Sequence, residues 1–211
     1  MSRIKRLLHN VYRYFRPVVT EGHGNVITIK AKREGRFRLD VYGSNNTVMI
    51  EDGVYLQDIN ISINGSNNLV KISRKSRLYH LELMVNGDGN EFLMGENAGI
   101  REASVLVMEG RKVMIGADSM LSYGIHIRTS DSHKITDLDS GERINEAKDV
   151  IIGAHAWISQ NVTLLKGADI GNHSVVGLGS VCSKPYPDNC IIAGVPGQVI
   201  KQNIDWDRTL D

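Results

Sequence analysis

Along residues 22–112, apolar and polar positions alternate in short runs that return at a fixed spacing. Val-Ile-Thr-Ile follows Asn25, Thr-Val-Met-Ile follows Asn46, Leu-Val-Lys-Ile follows Asn68 and Glu-Phe-Leu-Met follows Asn90. These asparagines stand 21, 22 and 22 residues apart, and Val113 and Ile115 continue the two apolar columns. A second set keeps a spacing of 22: Phe37, Leu39 and Val41 return as Ile59, Ile61 and Ile63, then Leu81, Leu83 and Val85, then Ala103, Val105 and Val107. Alternation at period two predicts strands with one buried side. Strands that recur with the same residue types at the same phase predict a coil that stacks each turn on the last, building parallel sheets. The segments before the asparagines, such as Gly43-Ser44-Asn45-Asn46, suit corners, because Gly and Asn accept positive φ at little cost. Asn side chains stacked in this way would also hydrogen-bond along the coil axis.

Past residue 112 the period shortens. Ile115, Leu121 and Ile127 lie six apart, as do Ile152, Ile158, Leu164, Ile170, Val176 and Cys182. This hexapeptide spacing predicts a coil with three short faces and one aliphatic plug on each. The expected architecture is all-β: a single parallel β-helix prism over residues 21–200, with coils of about 22 residues up to 112 and hexapeptide coils after it. Between Ile127 and Ile152 the count of six fails and the chain is polar, so residues 128–151 are expected to leave the prism as an excursion loop. A polar loop thrown out from a rigid scaffold is where chemistry is expected.

The ends read differently. Residues 1–20 are expected to form a basic amphipathic helix, with Ile4, Leu7, Leu8, Tyr12 and Phe15 among Arg3, Lys5, Arg6, Arg13 and Arg16. It suits either a cap on the open end of the coil or, through residues 2–16, peripheral attachment to an anionic membrane. Residues 201–211 are expected to be a C-terminal tail, with Pro196 to Trp206 read as a short closing helix or tail. The chain has 211 residues, 25 basic and 24 acidic side chains and a net charge of +1, so a nucleic-acid partner is not expected. No apolar run is long enough to span a bilayer. The start lacks the features of a secretory signal. A cytoplasmic protein, with the inner membrane surface as an alternative, is the expectation. Cys182 and Cys190 are too few for a disulfide framework, and Cys182 falls on a plug position.

Three stretches carry a family resemblance: Ser130–Asp137 (SDSHKITD), residues 149–184 with Ala-Trp-Ile inside the hexapeptides, and residues 191–201 (IIAGVPGQVIK). Together they resemble the left-handed β-helix, hexapeptide-repeat acyltransferases, most closely the sugar and polysaccharide O-acetyltransferases. The left hand of the coil is implied by this resemblance alone, since the general rule for parallel crossovers favours the other hand. The resemblance implies acetyl-CoA as donor, a glycan or sugar acceptor, no metal, and a homotrimer with sites between subunits.

Acetyl transfer from a thioester to a hydroxyl needs a base, donors for the oxyanion and a groove that holds both substrates. His133 is the histidine on the excursion and matches the family's catalytic position, so it is the expected general base. Asp131 is the nearest carboxylate that could hold its other nitrogen, and Asp137 or a backbone carbonyl would serve as well. His126 is expected to point outward near the excursion in a supporting role, whereas His23, His80, His155 and His173 fall in the coils. Trp157 is expected to point out of the prism as a wall of the acceptor cleft. The resemblance assigns Gln160, Leu178 and Ser183 to the pantetheine arm, Lys184 and Lys201 to the nucleotide end, and Ala193 and Gly194 to close approach of the adenine. Gln198 departs from the basic residue usual at that place. The alternatives are N-acetylation of an amino sugar, a non-catalytic scaffold, and a zinc hydratase drawing on His126, His133 and His155.

Overall fold

A computed structural model describes residues 17–210. In chain order the first strands are β1 (Val18–Glu21), β2 (Val26–Ile29), β3 (Lys32–Tyr42), β4 (Thr47–Ile50), β5 (Tyr55–Asn64), β6 (Leu69–Ile72) and β7 (Arg77–Asn86). They are followed by β8 (Glu91–Met94), β9 (Gly99–Met108), β10 (Lys112–Ile115), β11 (Met120–Leu121), β12 (Ile125–Arg128), β13 (Val150–Ile152) and β14 (Trp157–Ile158). The last are β15 (Thr163–Leu164), β16 (Asp169–Ile170), β17 (Val175–Val176), β18 (Val181–Cys182), β19 (Cys190–Ala193) and β20 (Gln198–Gln202).

These strands stack into three columns. The first face is the seven-stranded sheet from β2 through β4, β6, β8, β10 and β13 to β16. The long strands β5, β7 and β9 serve both other faces, their first halves leading to β11, β14, β17 and β19 and their second halves to β12, β15 and β18. Each long strand thus runs across two sides of the prism, which is why the early coils show a 22-residue period and the later ones separate hexapeptides. The register follows the sequence columns: Leu39 pairs with Ile61, Ile61 with Leu83, and Leu83 with Val105. Their side chains point inward and are fully buried, as are the plugs Ile152, Ile158, Leu164, Ile170, Val176 and Cys182. Each fully buried Leu, Ile or Val contributes roughly 1.5–3 kcal/mol of transfer free energy, so one stacked column stabilises many coils at once.

The asparagine column forms a buried ladder. Asn46 Nδ2 donates to Asn25 Oδ1 at 3.1 Å, Asn68 Nδ2 to Asn46 Oδ1 at 3.0 Å and Asn90 Nδ2 to Asn68 Oδ1 at 3.1 Å. The backbone N–H of Asn46, Asn68 and Asn90 also donates to the oxygen one coil before. A different corner needs glycine for space. A Cβ on Gly116 would lie 2.4 Å from the Ala154 nitrogen and a Cβ on Gly171 2.4 Å from that of Asp188, so the backbones approach too closely for any side chain.

Both chain ends depart from expectation within the described residues. Val18–Glu21 is a strand parallel to β3, so a helix cannot reach residue 20; pairing with Leu39–Tyr42 satisfies an edge that would otherwise be open. The rest of the expected helix, residues 1–16, lies outside the described residues. At the far end, Gln198–Gln202 turns back antiparallel on Cys190–Ala193 instead of forming a helix, and the tail begins after it. Among the described residues, no helix is long and apolar enough to cross a membrane.

Candidate functional site

The prism has three corners, and the excursion leaves from the third, between β12 on the third face and β13 on the first. Its stem is anchored in the wall: Thr129 and Ser130 are buried on the outgoing limb, Asn145 and Ala147 on the returning one. Thr129 Oγ1 accepts from Met108 N at 2.9 Å, and Lys148 N donates to Thr129 O at 3.0 Å. The tip is a small antiparallel turn with a bridge between Thr136 and Arg143. Asp137 holds that turn, accepting from Ser140 N at 2.8 Å and Asp139 N at 3.1 Å.

Asn145 organises the segment that carries His133. Its Nδ2 donates to the His133 carbonyl and to Asp131 Oδ2, each at 2.8 Å, while its Oδ1 accepts from Ile135 N at 2.8 Å and Arg143 Nε at 3.2 Å. All the capacity of one amide is used, so it fixes the chain on both sides of His133. Arg143 grips Glu109 with two hydrogen bonds, at 2.6 and 3.0 Å, and Ser130 Oγ donates to the same carboxylate. That Arg143 clamp, helped by Ser130, holds the Glu109 pKa down to about 2. Lys166 reaches up from the coil to Asp131 Oδ2 at 2.5 Å and to the Asn145 carbonyl at 3.0 Å. Lys166, then Asn145, lowers the Asp131 pKa.

His133 itself is exposed on the excursion. Among the described residues, no side chain hydrogen-bonds its ring. Asp131 therefore does not hold the second nitrogen as expected: its carboxylate is drawn to the Lys166 ammonium and the Asn145 amide. It positions the segment rather than the imidazole. The sequence reading missed Glu109, Arg143, Asn145 and Lys166: Arg143 and Asn145 stand within the polar insert, whereas Glu109 and Lys166 lie outside the break in hexapeptide spacing and carry no local signal. His126 lies on β12 and lines a cleft of about 350 Å³ that crosses several coils with Arg36, Asp58, Asn60, Glu82 and Glu102.

Trp157 stands on β14, on the second face, in register with Met120 and Val175, and is partly exposed. Gln160 and Leu178 stack at the second corner, where Gly179 N donates to Gln160 O at 3.0 Å; Leu178 projects outward, 70% exposed. Ala193 ends the same face, and Gly194 O accepts from Val181 N at 3.1 Å, so the terminal Ala-Gly-x-Pro-Gly turn closes the third face like a further coil. Gly197 N completes that closure by donating to Val181 O at 2.7 Å. Ser183 and Lys184 lie across the third face, at the corner from which the excursion springs. Lys184 Nζ donates to Gln198 Oε1 at 3.0 Å, which gives the departing Gln198 a partner. Lys201 pairs in register with Ile191 on the added strand and is exposed.

A second cluster sits at the first corner beside Trp157. His155 Nδ1 lies 2.6 Å from Asp118 Oδ2, its Nε2 lies 2.9 Å from the Trp206 carbonyl, and its ring stacks on the Trp206 indole at 4.4 Å. Burial disfavours a charged His155, but the Trp206 carbonyl and the Asp118 carboxylate outweigh it and raise the pKa. Trp206 Nε1 donates to His155 O at 2.7 Å, Arg208 donates to Asp118 O at 2.8 Å, and the Trp206 indole leans on Trp157 at 5.8 Å. The tail is thereby fastened across the corner. The signal was legible: His155 and His173 are 18 residues apart, one whole coil of three hexapeptides, so they must stack.

No family model matches the chain. It is 35% identical over 120 residues to a polysialic acid O-acetyltransferase of Escherichia coli O1:K1 / APEC, covering 57% of this chain and 39% of that relative. The match thus spans well under half of that relative's length. Two solved structures resemble nearly the whole chain. The polySia specific acetyltransferase NeuO is 34% identical with a TM-score of 0.82, covering 92% of this chain and 89% of that one. The polysialic acid O-acetyltransferase OatWY is 34% identical with a TM-score of 0.84, covering 92% of each.

Proposed function

The chain belongs to the hexapeptide-repeat β-helix O-acetyltransferases, and on that premise we propose that it moves an acetyl group from acetyl-CoA to a hydroxyl of a cell-surface polysaccharide. The observation that carries this reading is His133, projected on an anchored excursion from a coil alike, over nearly its full length, to enzymes named for acetylating polysialic acid. The imidazole takes the proton of the acceptor hydroxyl as its oxygen attacks the thioester carbon. The tetrahedral adduct collapses with cleavage of the carbon–sulfur bond, and the proton held on His133 passes to the departing thiolate. The cleft that crosses several coils beside His126 suits a chain acceptor better than a single sugar.

Pantetheine lies along Gln160, Leu178 and Ser183 in this reading, with Lys184 and Lys201 towards the phosphates and Ala193–Gly194 beneath the adenine. The site is shared between copies. Within one chain the excursion leaves the third corner, while Trp157 and Gln160 belong to the second face and the second corner. A closed ring of three places one copy's excursion against the next copy's face. The reaction is placed in the cytoplasm, where acetyl-CoA is made.

Thiol release from acetyl-CoA, measured against a panel of acidic and neutral polysaccharides with the product mapped by NMR, tests this function. The expected result is release that depends on the glycan and yields an O-acetyl ester. Release with no glycan partner, or an amide product on an amino sugar, contradicts it.

A further inference from the structure

The first corner of the prism is a column of residues with positive φ: Gly53, Lys75, Asn97, Asp118, His155, His173 and Asn189. Asn, Asp or Gly meets the backbone requirement there with least strain, whereas a histidine with φ of 51° or 56° is uncommon. Two stacked histidines in a position that asparagine serves one coil later are not explained by the fold. What sets these two apart is the group that faces them. Asp205, carried back by the tail, lies 3.3 Å from His173 Nδ1 and 3.7 Å from His155 Nε2 through the same Oδ1. The three donor atoms all fall within 4.8 Å of one another. Tetrahedral ligands on a transition-metal ion with bonds of 2.0–2.2 Å stand about 3.3–3.6 Å apart; the two Asp205 separations lie at or just beyond that edge, and the two histidine donors fall within 4.8 Å of each other.

We propose that His155, His173 and Asp205 form a binding site for a divalent transition-metal ion of the zinc class, which ties the C-terminal tail to the coil beside Trp157. The donor set of two imidazoles and one carboxylate is the chemistry such ions favour. Asp118 supplies the outer partner: with its Oδ2 2.6 Å from Nδ1 of His155, it keeps the proton there and leaves Nε2 for the ion, as ligating histidines usually require. The carbonyl of Trp206, 2.9 Å from Nε2, stands near a fourth oxygen position. Binding exchanges the Nε2 proton, which passes to solvent, for the metal. None of the three donors belongs to this chain's own excursion.

The test uses the full-length, tag-free chain, stripped with a chelator and then titrated with Zn²⁺ by calorimetry and with Co²⁺ by its visible spectrum. The site predicts one equivalent per chain and tetrahedral Co²⁺ bands. His173→Asn keeps a residue suited to the corner φ, and Asp205→Asn keeps the tail's shape. Each is expected to weaken binding at least about tenfold, and Asp118→Asn by about 10–100-fold. His133→Ala should leave binding unchanged. Stoichiometry far below one, or affinity unaffected by His173→Asn and Asp205→Asn, overturns the proposal.

Discussion

Asn145 donates to the His133 carbonyl while the imidazole itself projects without a hydrogen-bond partner among the described residues, so the ring's position depends on the backbone beneath it. A general base contributes about 10²–10⁴-fold, and His133→Ala should lower turnover by that factor with acetyl-CoA binding intact. Equilibrium binding of the coenzyme beside steady-state rates checks both halves. In the proposed reaction Asn145 acts through His133. Asn145→Ala leaves the Ile135 N–H, the His133 carbonyl and the Asp131 carboxylate short of a partner. Displacing a catalytic group by an ångström costs up to about 10²-fold, so kcat should fall while KM for acetyl-CoA stays close to that of the parent chain. A purely structural role would shift both constants together. His133 was legible because a lone histidine interrupts a polar insert. The partner of Asp131 was not, because Lys166 lies 35 residues onward and meets it only once the coil has closed.

The elements owe their order to repetition. Register could be read from residues such as Leu39, Ile61 and Leu83 because a stacked coil places like on like, leaving no other pairing that buries them all. The ladder adds a polar equivalent within the wall. Removing the Asn68 side chain strips the partner from the Asn90 N–H and one of two partners from Asn90 Nδ2 and Asn46 Oδ1, which keep the Asn86 carbonyl and the Asn68 N–H. An unsatisfied buried group costs about 1–3 kcal/mol, so Asn68→Ala should destabilise by at least that much in denaturant unfolding. Leaving stability unchanged would show that the ladder is replaceable by water. The excursion has its own acid limit. The Glu109 carboxyl is depressed from 4.5 to about 2 in the folded chain, so its contribution is full above its unfolded value and is lost as pH falls from about 4.5 towards 2. Amide exchange should show residues 129–147 opening in that window before the coil melts. Glu109→Gln should open the same segment at neutral pH. What the sequence hid at this scale was the C-terminal strand: Gln198–Gln202 carries no clean alternation and forms only because β19 offers it an open edge.

At the scale of the molecule, the prism, its long and short coils and the place where it is interrupted were all written in periodicity. The meeting of distant corners was not. His155, His173, Asp205 and Trp206 come together only when the tail folds back over the first corner, a contact set by three-dimensional closure rather than by any local pattern. The proposed site poses the same case between copies. His133 and Trp157 belong to different sides of one chain, and in the proposed reaction a site that uses both is completed by a second chain. The direct measurement is thiol release by His133→Ala and Trp157→Ala variants, assayed apart and after unfolding and refolding together. Each variant alone should be nearly inactive. In randomly mixed rings of three, about one site in four regains both side chains, and activity should return to about that fraction of the parent. A mixture no more active than its components, or either variant active by itself at the parent's rate, would contradict the account.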